Sequence, residues 1–376
     1  AAGQSLDLSG YALGVVTHSG SGALGSGGTA LLGRGRIMPV VTWDAFTLDV
    51  AYEHLLQRTP PGGGFSITTP GGTGVRGGDW MGADWDIRST SRSSWRHRFD
   101  RLSLAFDAGP LSVTVGRQAI SWATTLFLTP GDPFAPFDPS DPFREYRGGV
   151  DAVRVRAFTG PFSEVEAVVR PADVPGGSTL TAVARAQMSR GGWAFGAWAG
   201  VVHDQGAATV FATGAAGATA LRGSLSLRRD SVGDAVLRTA VGGDRRFTVA
   251  DRDLFGVVEL QYDGFGAAST EELLAAARSG PFGRGEMQTL GRWSAATQWS
   301  YQAHPLVSLD ALALVNLEDG SALLAPGLSW LATASASLRL GLFYGAGGDG
   351  LSSDGGLQSE YGAVPTVGYA ALSVFF

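Results

Sequence analysis

Apolar and polar residues alternate with period two along almost the whole chain, in runs of about ten residues separated by Gly-, Asp- and Pro-containing punctuation. The stretch GVDAVRVRAFTGPFSEVEAVVR, residues 149–170, shows the pattern clearly. Val153 and Val155 alternate with Arg154 and Arg156, while Val165, Ala167 and Val169 alternate with Glu164, Glu166 and Arg170. Folding about the Thr-Gly-Pro turn at 159–161 sets Arg156 opposite Glu164 and Arg154 opposite Glu166. One face is then aliphatic and the other a ladder of opposed charges. Either the aliphatic face covers a core and the charges meet water, or the aliphatic face meets lipid and the charges line a water-filled lumen.

Similar runs occur near 5–17, 30–41, 45–57, 93–107, 110–121, 149–158, 162–170, 178–189 and 191–203. They continue near 206–215, 217–229, 234–243, 253–263, 291–303, 306–317, 321–331, 334–346 and 364–376. About 18 strands of roughly ten residues match the length that spans an outer membrane when tilted. Only Ser269–Arg278 reads as a helix, with Ser269 as N-cap and Glu271 and Glu272 in its first turn. Neither a repeat nor a linker interrupts the pattern, so residues 1–376 read as one domain.

The connections sort by parity. The long ones, 58–92, 122–148, 264–290 and 347–363, are the third, fifth, thirteenth and seventeenth, all odd. The even ones are mostly tight turns, at 43–44, 108–109, 159–160, 190–191, 215–217 and 304–305. With both chain ends in the periplasm, the long loops lie outside the cell and the short turns inside, the asymmetry of outer-membrane barrels. A soluble sandwich has no reason to sort loops this way. The twelfth connection, near 244–252, is irregular and leaves a count of 16 open. Trp293, Trp299 and Tyr301 share one face, and Trp330, Tyr344, Tyr369 and Phe376 fall near strand ends, where interfacial aromatic girdles sit. The last run, VPTVGYAALSVFF, puts Ala370, Leu372, Val374 and Phe376 on one face. Its terminal Phe resembles the C-terminal signature of Gram-negative outer-membrane proteins. The expected fold is therefore an all-β, transmembrane antiparallel β-barrel in the bacterial outer membrane, monomeric and in contact with membrane lipid and lipopolysaccharide.

Composition agrees. A mean hydropathy of +0.09 with 44% hydrophobic residues is too low for a helical membrane protein. The longest uncharged run, 205–221, falls short of the ~20 residues a membrane helix needs. Cysteine is absent, which excludes disulfides and thiolate metal sites. The net charge of −6 argues against nucleic-acid binding. All 28 basic residues are Arg, so every cation is a planar fork suited to carboxylates. The opening AAGQSLDLSG lacks a basic and apolar leader and reads as the start of a secreted chain whose signal has been removed.

An Arg facing lipid at mid-membrane costs ~2–4 kcal/mol. Turning the aliphatic residues outward thus sends Arg34, Arg36, Asp49, Glu53, Arg185, Arg222, Arg228, Arg238, Glu259, Asp310 and Arg339 inward, beside the charges of 149–170. As pore-lining residues they either hold the wall together in Arg–carboxylate pairs or offer a path to an anionic or hydroxylated solute. The eighth, eleventh and twelfth strands carry Arg with few acids beside them, which favours the path. Parity breaks in SSWRHRFDRLSLAF, where Arg96, Arg98 and Asp100 share parity with Leu102, Leu104 and Phe106. Either a bulge near Asp100–Arg101 turns the strand over, or Arg96 and Arg98 stand above the membrane against lipopolysaccharide phosphates.

Residues 129–142 hold five prolines, together with Asp132, Asp138, Asp141, Phe134 and Phe137. So many prolines cannot continue a strand, yet the segment is too apolar to hang in water. A proline-stiffened loop, 122–148, folded into the pore as a constriction satisfies both facts, with Glu145 also at the constriction. Calcium at Asp138 and Asp141 is an alternative, although their spacing lacks an EF-hand pattern. GRQAISW, the Asp/Phe/Pro loop and RGGVDAVR together resemble the corresponding part of alginate-export-type barrels and related exopolysaccharide-export barrels. The resemblance covers 93–170. It implies a monomeric, wide, charged pore for a secreted polysaccharide, with Arg117, Gln118, Asp138, Arg144, Arg147, Asp151 and Arg154 near the constriction. Ala123 stands where relatives often have Gly, and no tetratricopeptide extension accompanies the barrel, so the polymer stays open.

Other chemistry finds little support. Gly72-x-Gly74-x-x-Gly77 is followed by Asp79-Trp80 rather than a helix, and His18, His54, His97, His203 and His304 are scattered. No G-x-S-x-G elbow occurs. No enzyme activity, cofactor or metal is expected. The sequence points to a passive channel, for export of a polysaccharide or, alternatively, for uptake of small anionic or hydrophobic solutes. A non-conducting barrel that docks a periplasmic partner is the third reading.

Overall fold

The computed structural model describes residues 4–22, 27–60, 78–134, 143, 146–174, 176–351 and 355–376. Its strands are Ser5–Ser19 (β1), Gly28–Trp43 (β2), Phe46–Arg58 (β3), Asp84–Ser89 (β4), Ser93–Ala108 (β5), Leu111–Gln118 (β6) and Val150–Gly160 (β7). Next come Ser163–Val174 (β8), Gly177–Arg190 (β9), Trp193–Val202 (β10), Gln205–Ala216 (β11), Thr219–Arg229 (β12) and Ala235–Val249 (β13). The series ends with Arg252–Asp263 (β14), Trp293–His304 (β15), Val307–Asn316 (β16), Ala322–Thr333 (β17), Ala336–Ala346 (β18) and Val367–Phe375 (β19). Each barrel strand pairs antiparallel with its neighbours, and β1 pairs with β19 to close the ring. Of the 19 strands, β4 is a short addition on the upper half of β5, which leaves an 18-stranded barrel. The strand count of 16 is thereby excluded.

Every even connection of the barrel is two residues long, whereas 59–92, 119–149, 264–292 and 347–366 all lie at the opposite end. The twelfth connection, irregular in sequence, is the tight turn Ala250-Asp251. Both residues have positive φ, 50° and 58°, as a two-residue hairpin matched to strand twist requires. The helical segment is a 3₁₀ turn, Thr270–Glu272, followed by a short helix, Leu273–Ala277; Ser269 precedes it but its side chain makes no cap.

Outward positions are apolar and open: Val153, Val155, Val165 and Val169 are exposed, as are Val210, Leu227, Val241 and Leu372. Trp293, Trp299, Trp330, Tyr344 and Phe376 also face outward. Tyr369 does not. It points inward and meets the ring of Phe143 edge-on at 4.9 Å, because its parity is that of the buried Val367 and Ala371. The buried apolar clusters lie inside the ring, where loop residues such as Leu128, Phe134 and Phe143 pack on wall residues such as Tyr11 and Trp198.

Two register details differ from the sequence reading. The 149–170 hairpin turns at Pro161-Phe162, with an irregularity between Phe158 and Gly160, so Arg156 pairs with Glu166 and Phe158 with Glu164. The shift is two residues, which preserves parity and hence the lipid-facing valines. In β5, Ala51 pairs with Arg101 but Tyr52 with Phe99, leaving Asp100 as the extra residue of a bulge. The bulge turns the strand over. Below it Leu102, Leu104 and Phe106 face outward, and above it Arg98 reaches Glu53 at 2.6 Å and Arg96 pairs with Asp84. The bulge accounts for the break in parity, and both arginines are paired with carboxylates of the barrel.

Candidate functional site

The described residues of the 119–149 connection, 119–134, 143 and 146–149, lie inside the barrel and touch opposite walls. Leaving β6, the segment buries Ile120 and Trp122, whose ring meets Phe134 edge-on at 5.0 Å. The carbonyl of Gly131 accepts a hydrogen bond from Trp198 Nε1 on β10 at 3.2 Å. The backbone N–H groups of Leu126, Phe127 and Leu128 all donate to the Glu259 carboxylate on β14, at 2.5, 2.9 and 2.9 Å. Gln288 braces the same turn by accepting from Thr129 N and donating to the Phe127 carbonyl. On the return, Phe143 is buried against Tyr369 of β19 and its carbonyl accepts from Arg34 of β2 at 2.9 Å. Tyr146 stacks on Tyr11, with Arg36 4.8 Å from its ring centre. Around the 18 barrel strands, β10 and β19 are nine steps apart, so the contacts of Gly131 and of Phe143 fall on opposite sides of the lumen.

Two aspartates fix the ends of this segment. Asp132 is buried and accepts from Ser121 Oγ, Trp122 N, Phe134 N and Arg147 Nη1. Burial raises its carboxyl above the ordinary value despite these donors. Asp151 receives a two-pronged pair from the fully buried Arg117, Nε at 2.7 Å and Nη2 at 2.8 Å, and also the N–H groups of Trp80 and Met81. Arg117 in turn donates to the carbonyls of Phe99 and Met81 and pairs with Asp79. The Arg of GRQ and the Asp of GGVDAVR thus form one clasp, and it docks the segment leading into β4 beside β6 and β7. The glycines of these motifs are structural: Gly116 has φ +113°, and a side chain on Gly149 would run into the Asp100 carbonyl and the Arg117 stem. Gln118 binds backbone carbonyls, including that of Ala152.

The wall arginines are largely paired. Arg36 joins Glu53 and Asp100, Arg154 joins Glu166, and Arg185 joins Glu164 and Glu166. Arg222 pairs with Asp244, Arg228 with Glu286 and Arg238 with Asp263. The apparent scarcity of acids beside the eighth, eleventh and twelfth strands is therefore corrected: their carboxylates come from adjacent strands and from 264–292. Arg170 is buried and donates to the Gly78 carbonyl. Asp310 accepts from Ser329, Arg339 donates to Ser373, and Asp49 and Arg156 are half-buried in the half of the lumen nearer the short turns. Asp138, Asp141, Arg144 and Glu145 lie outside the described residues.

Residues 264–292 also dock inward, through a group that the sequence reading did not single out. Burial alone would raise the Glu286 carboxyl, but Arg228, Arg284, Arg238 and His203 pull it down to about 2. Burial in turn lowers His203, in the 203–204 turn, to about 4. Because the Glu286 value is depressed from 4.5, its contribution to docking is complete above that pH and is lost only as pH falls toward about 2. Asp132 has the opposite sign, its raised value favouring the folded form under acid. Acidifying from neutrality to ~pH 4.5 should therefore leave 264–292 in place. Spin labels on 264–292 and on 230–234 should report an unchanged distance; lengthening over that range would contradict the ion-pair assignment. Glu360 similarly ties 347–366 to its neighbour by accepting from Leu290 N, Gly291 N and Asn316 Nδ2.

No family model matches the chain, and no curated protein does. Among solved structures it is similar to the outer membrane protein OpdK of Pseudomonas aeruginosa, at 10% identity over 98% of both chains with a TM-score of 0.54. OccAB2 of Acinetobacter baumannii is 8% identical, over 99% of this chain and 98% of that one, with a TM-score of 0.54. Wzi, an Escherichia coli outer membrane protein involved in group 1 capsule assembly and a carbohydrate-binding β-barrel, is 9% identical over 97% and 84%, also at 0.54. These likenesses establish the fold. With the apolar outer belt, the closed barrel is that of a bacterial outer-membrane protein.

Proposed function

We propose that this barrel is a passive channel whose bore is set by residues 119–149 and which admits small hydrophilic solutes. One observation carries the reading: described residues of one connection are hydrogen-bonded to both sides of the lumen, Leu126 and Gly131 to β14 and β10 and Phe143 to β2. A strap held at both walls divides the lumen into narrower passages, which suits small solutes better than a thick polymer. The pairing of most wall arginines with carboxylates supports weak rather than strong anion preference. In planar bilayers under a salt gradient, chloride and potassium should permeate comparably, and sugars should swell proteoliposomes with a steep size cut-off. Absence of any conductance would overturn the reading and favour a structural barrel.

Export of a secreted polysaccharide is the second reading. It is supported by the resemblance of 93–170 to export-type barrels and by the fold shared with Wzi. Loss of surface polysaccharide in a deletion strain, with small-solute uptake unchanged, would favour it over the first.

A further inference from the structure

The outer face of β1 and β2 is one of two places among the described residues where small residues open the apolar belt. Adjacent outward positions here carry Ala12, Gly14, Gly33 and Gly35, with Gly14 paired to Gly33 and Ala12 to Gly35. A side chain on Gly14 or Gly35 would meet only open space. The result is a groove of about 710 Å³, walled by Val16, Leu31, Leu56 and Trp95. Its upper end lies toward the long connections, and there Arg58 and Arg88 border it. Both face outward. Arg58 shares parity with the exposed Leu56 on β3, and Arg88 on β4 pairs with the outward Trp95 of β5. One strand, β5, lies between them, and they pair with Ser93 and Trp95, two residues apart on it, so their backbones are roughly 12 Å apart and two long side chains can converge on one anion. Neither is ion-paired to a described carboxylate. A second outer groove, of about 550 Å³, has no such border, because its one arginine, Arg185, is committed inward to Glu164 and Glu166.

We propose that the β1–β2 groove holds one lipopolysaccharide molecule, with an acyl chain over Gly14 and Gly33 and a lipid A phosphate between Arg58 and Arg88. An apolar trough at acyl depth that ends in two guanidiniums at headgroup depth is complementary to a lipid with a multiply charged phosphate. The long-connection end places it in the outward-facing leaflet, and two forks match a phosphate monoester better than a single phosphodiester charge. Trp95 sits at the boundary, where an indole with an apolar body and a polar N–H is suited to the interface.

Native mass spectrometry of the protein extracted from outer membranes in mild detergent tests this directly. The wild type should retain one lipopolysaccharide. R58E/R88E should lower that fraction about tenfold, the loss expected from removing a charge-assisted anchor. G14L/G33L should also lower it, by filling the trough. R229E, at another part of the same rim, should retain lipid as the wild type does, and heat-modifiable electrophoretic mobility should confirm folding of each variant. An R58E/R88E barrel that keeps its lipopolysaccharide would overturn the proposal, as would a wild type that carries none or carries phospholipid in its place.

Discussion

Replacing Glu259 with glutamine should raise single-channel conductance several-fold while the barrel itself stays folded. The carboxylate is buried and accepts three successive backbone N–H groups from Leu126, Phe127 and Leu128. An amide keeps one acceptor oxygen and turns its NH₂ toward groups that are themselves donors. Hydrogen bonds to a charged group contribute about 1.5–3 kcal/mol each, and an unsatisfied buried donor adds its own cost. Losing this anchor therefore outweighs the small stability of a locally docked segment. The β14 ladder runs through backbone atoms that the substitution does not touch, so the wall survives. Planar-bilayer recordings check the outcome, and a wild-type conductance in E259Q would mean that the segment does not limit the bore.

The second large effect concerns stability. Arg117→Met should destabilise the barrel by about 3–5 kcal/mol, the usual consequence of leaving one member of a buried pair without its partner. Asp151 would retain the N–H groups of Trp80 and Met81 but lose both guanidinium contacts, while the Phe99 and Met81 carbonyls and Asp79 would lose a donor. Arg117→Met combined with Asp151→Leu should recover part of the loss, since two apolar groups of similar volume leave less charge stranded. Urea unfolding followed by tryptophan fluorescence in detergent would measure both. Strict additivity of the two single changes would contradict the clasp.

The barrel was legible because period-two alternation survives small errors of register. Shifting the 149–170 hairpin by two residues changed which charges face each other but not which valines meet lipid. Parity alone revealed that something interrupts β5, although it took the three-dimensional pairing to identify Asp100 as the inserted residue. The charge partners were harder to see. Arg228 looked isolated on its strand because its carboxylate, Glu286, lies 58 residues further on in a connection. Glu259 looked like one more lumen acid, and nothing local indicates that three N–H groups arrive from residues 126–128. β4 was missed for a related reason: it is only six residues long, and its strand partner among the described residues is the upper half of β5.

A closed hoop of strands resists stretching through its hydrogen bonds but yields readily to squeezing into an oval. Gly131 and Phe143, in one connection, contact points nine strands apart, the pair of places that such flattening would drive together or pull away from each other. The strap is therefore also a cross-brace, and cutting it should soften the ring as well as open it. The cross-section would then begin to follow lateral tension in the surrounding membrane, turning a fixed aperture into one that breathes.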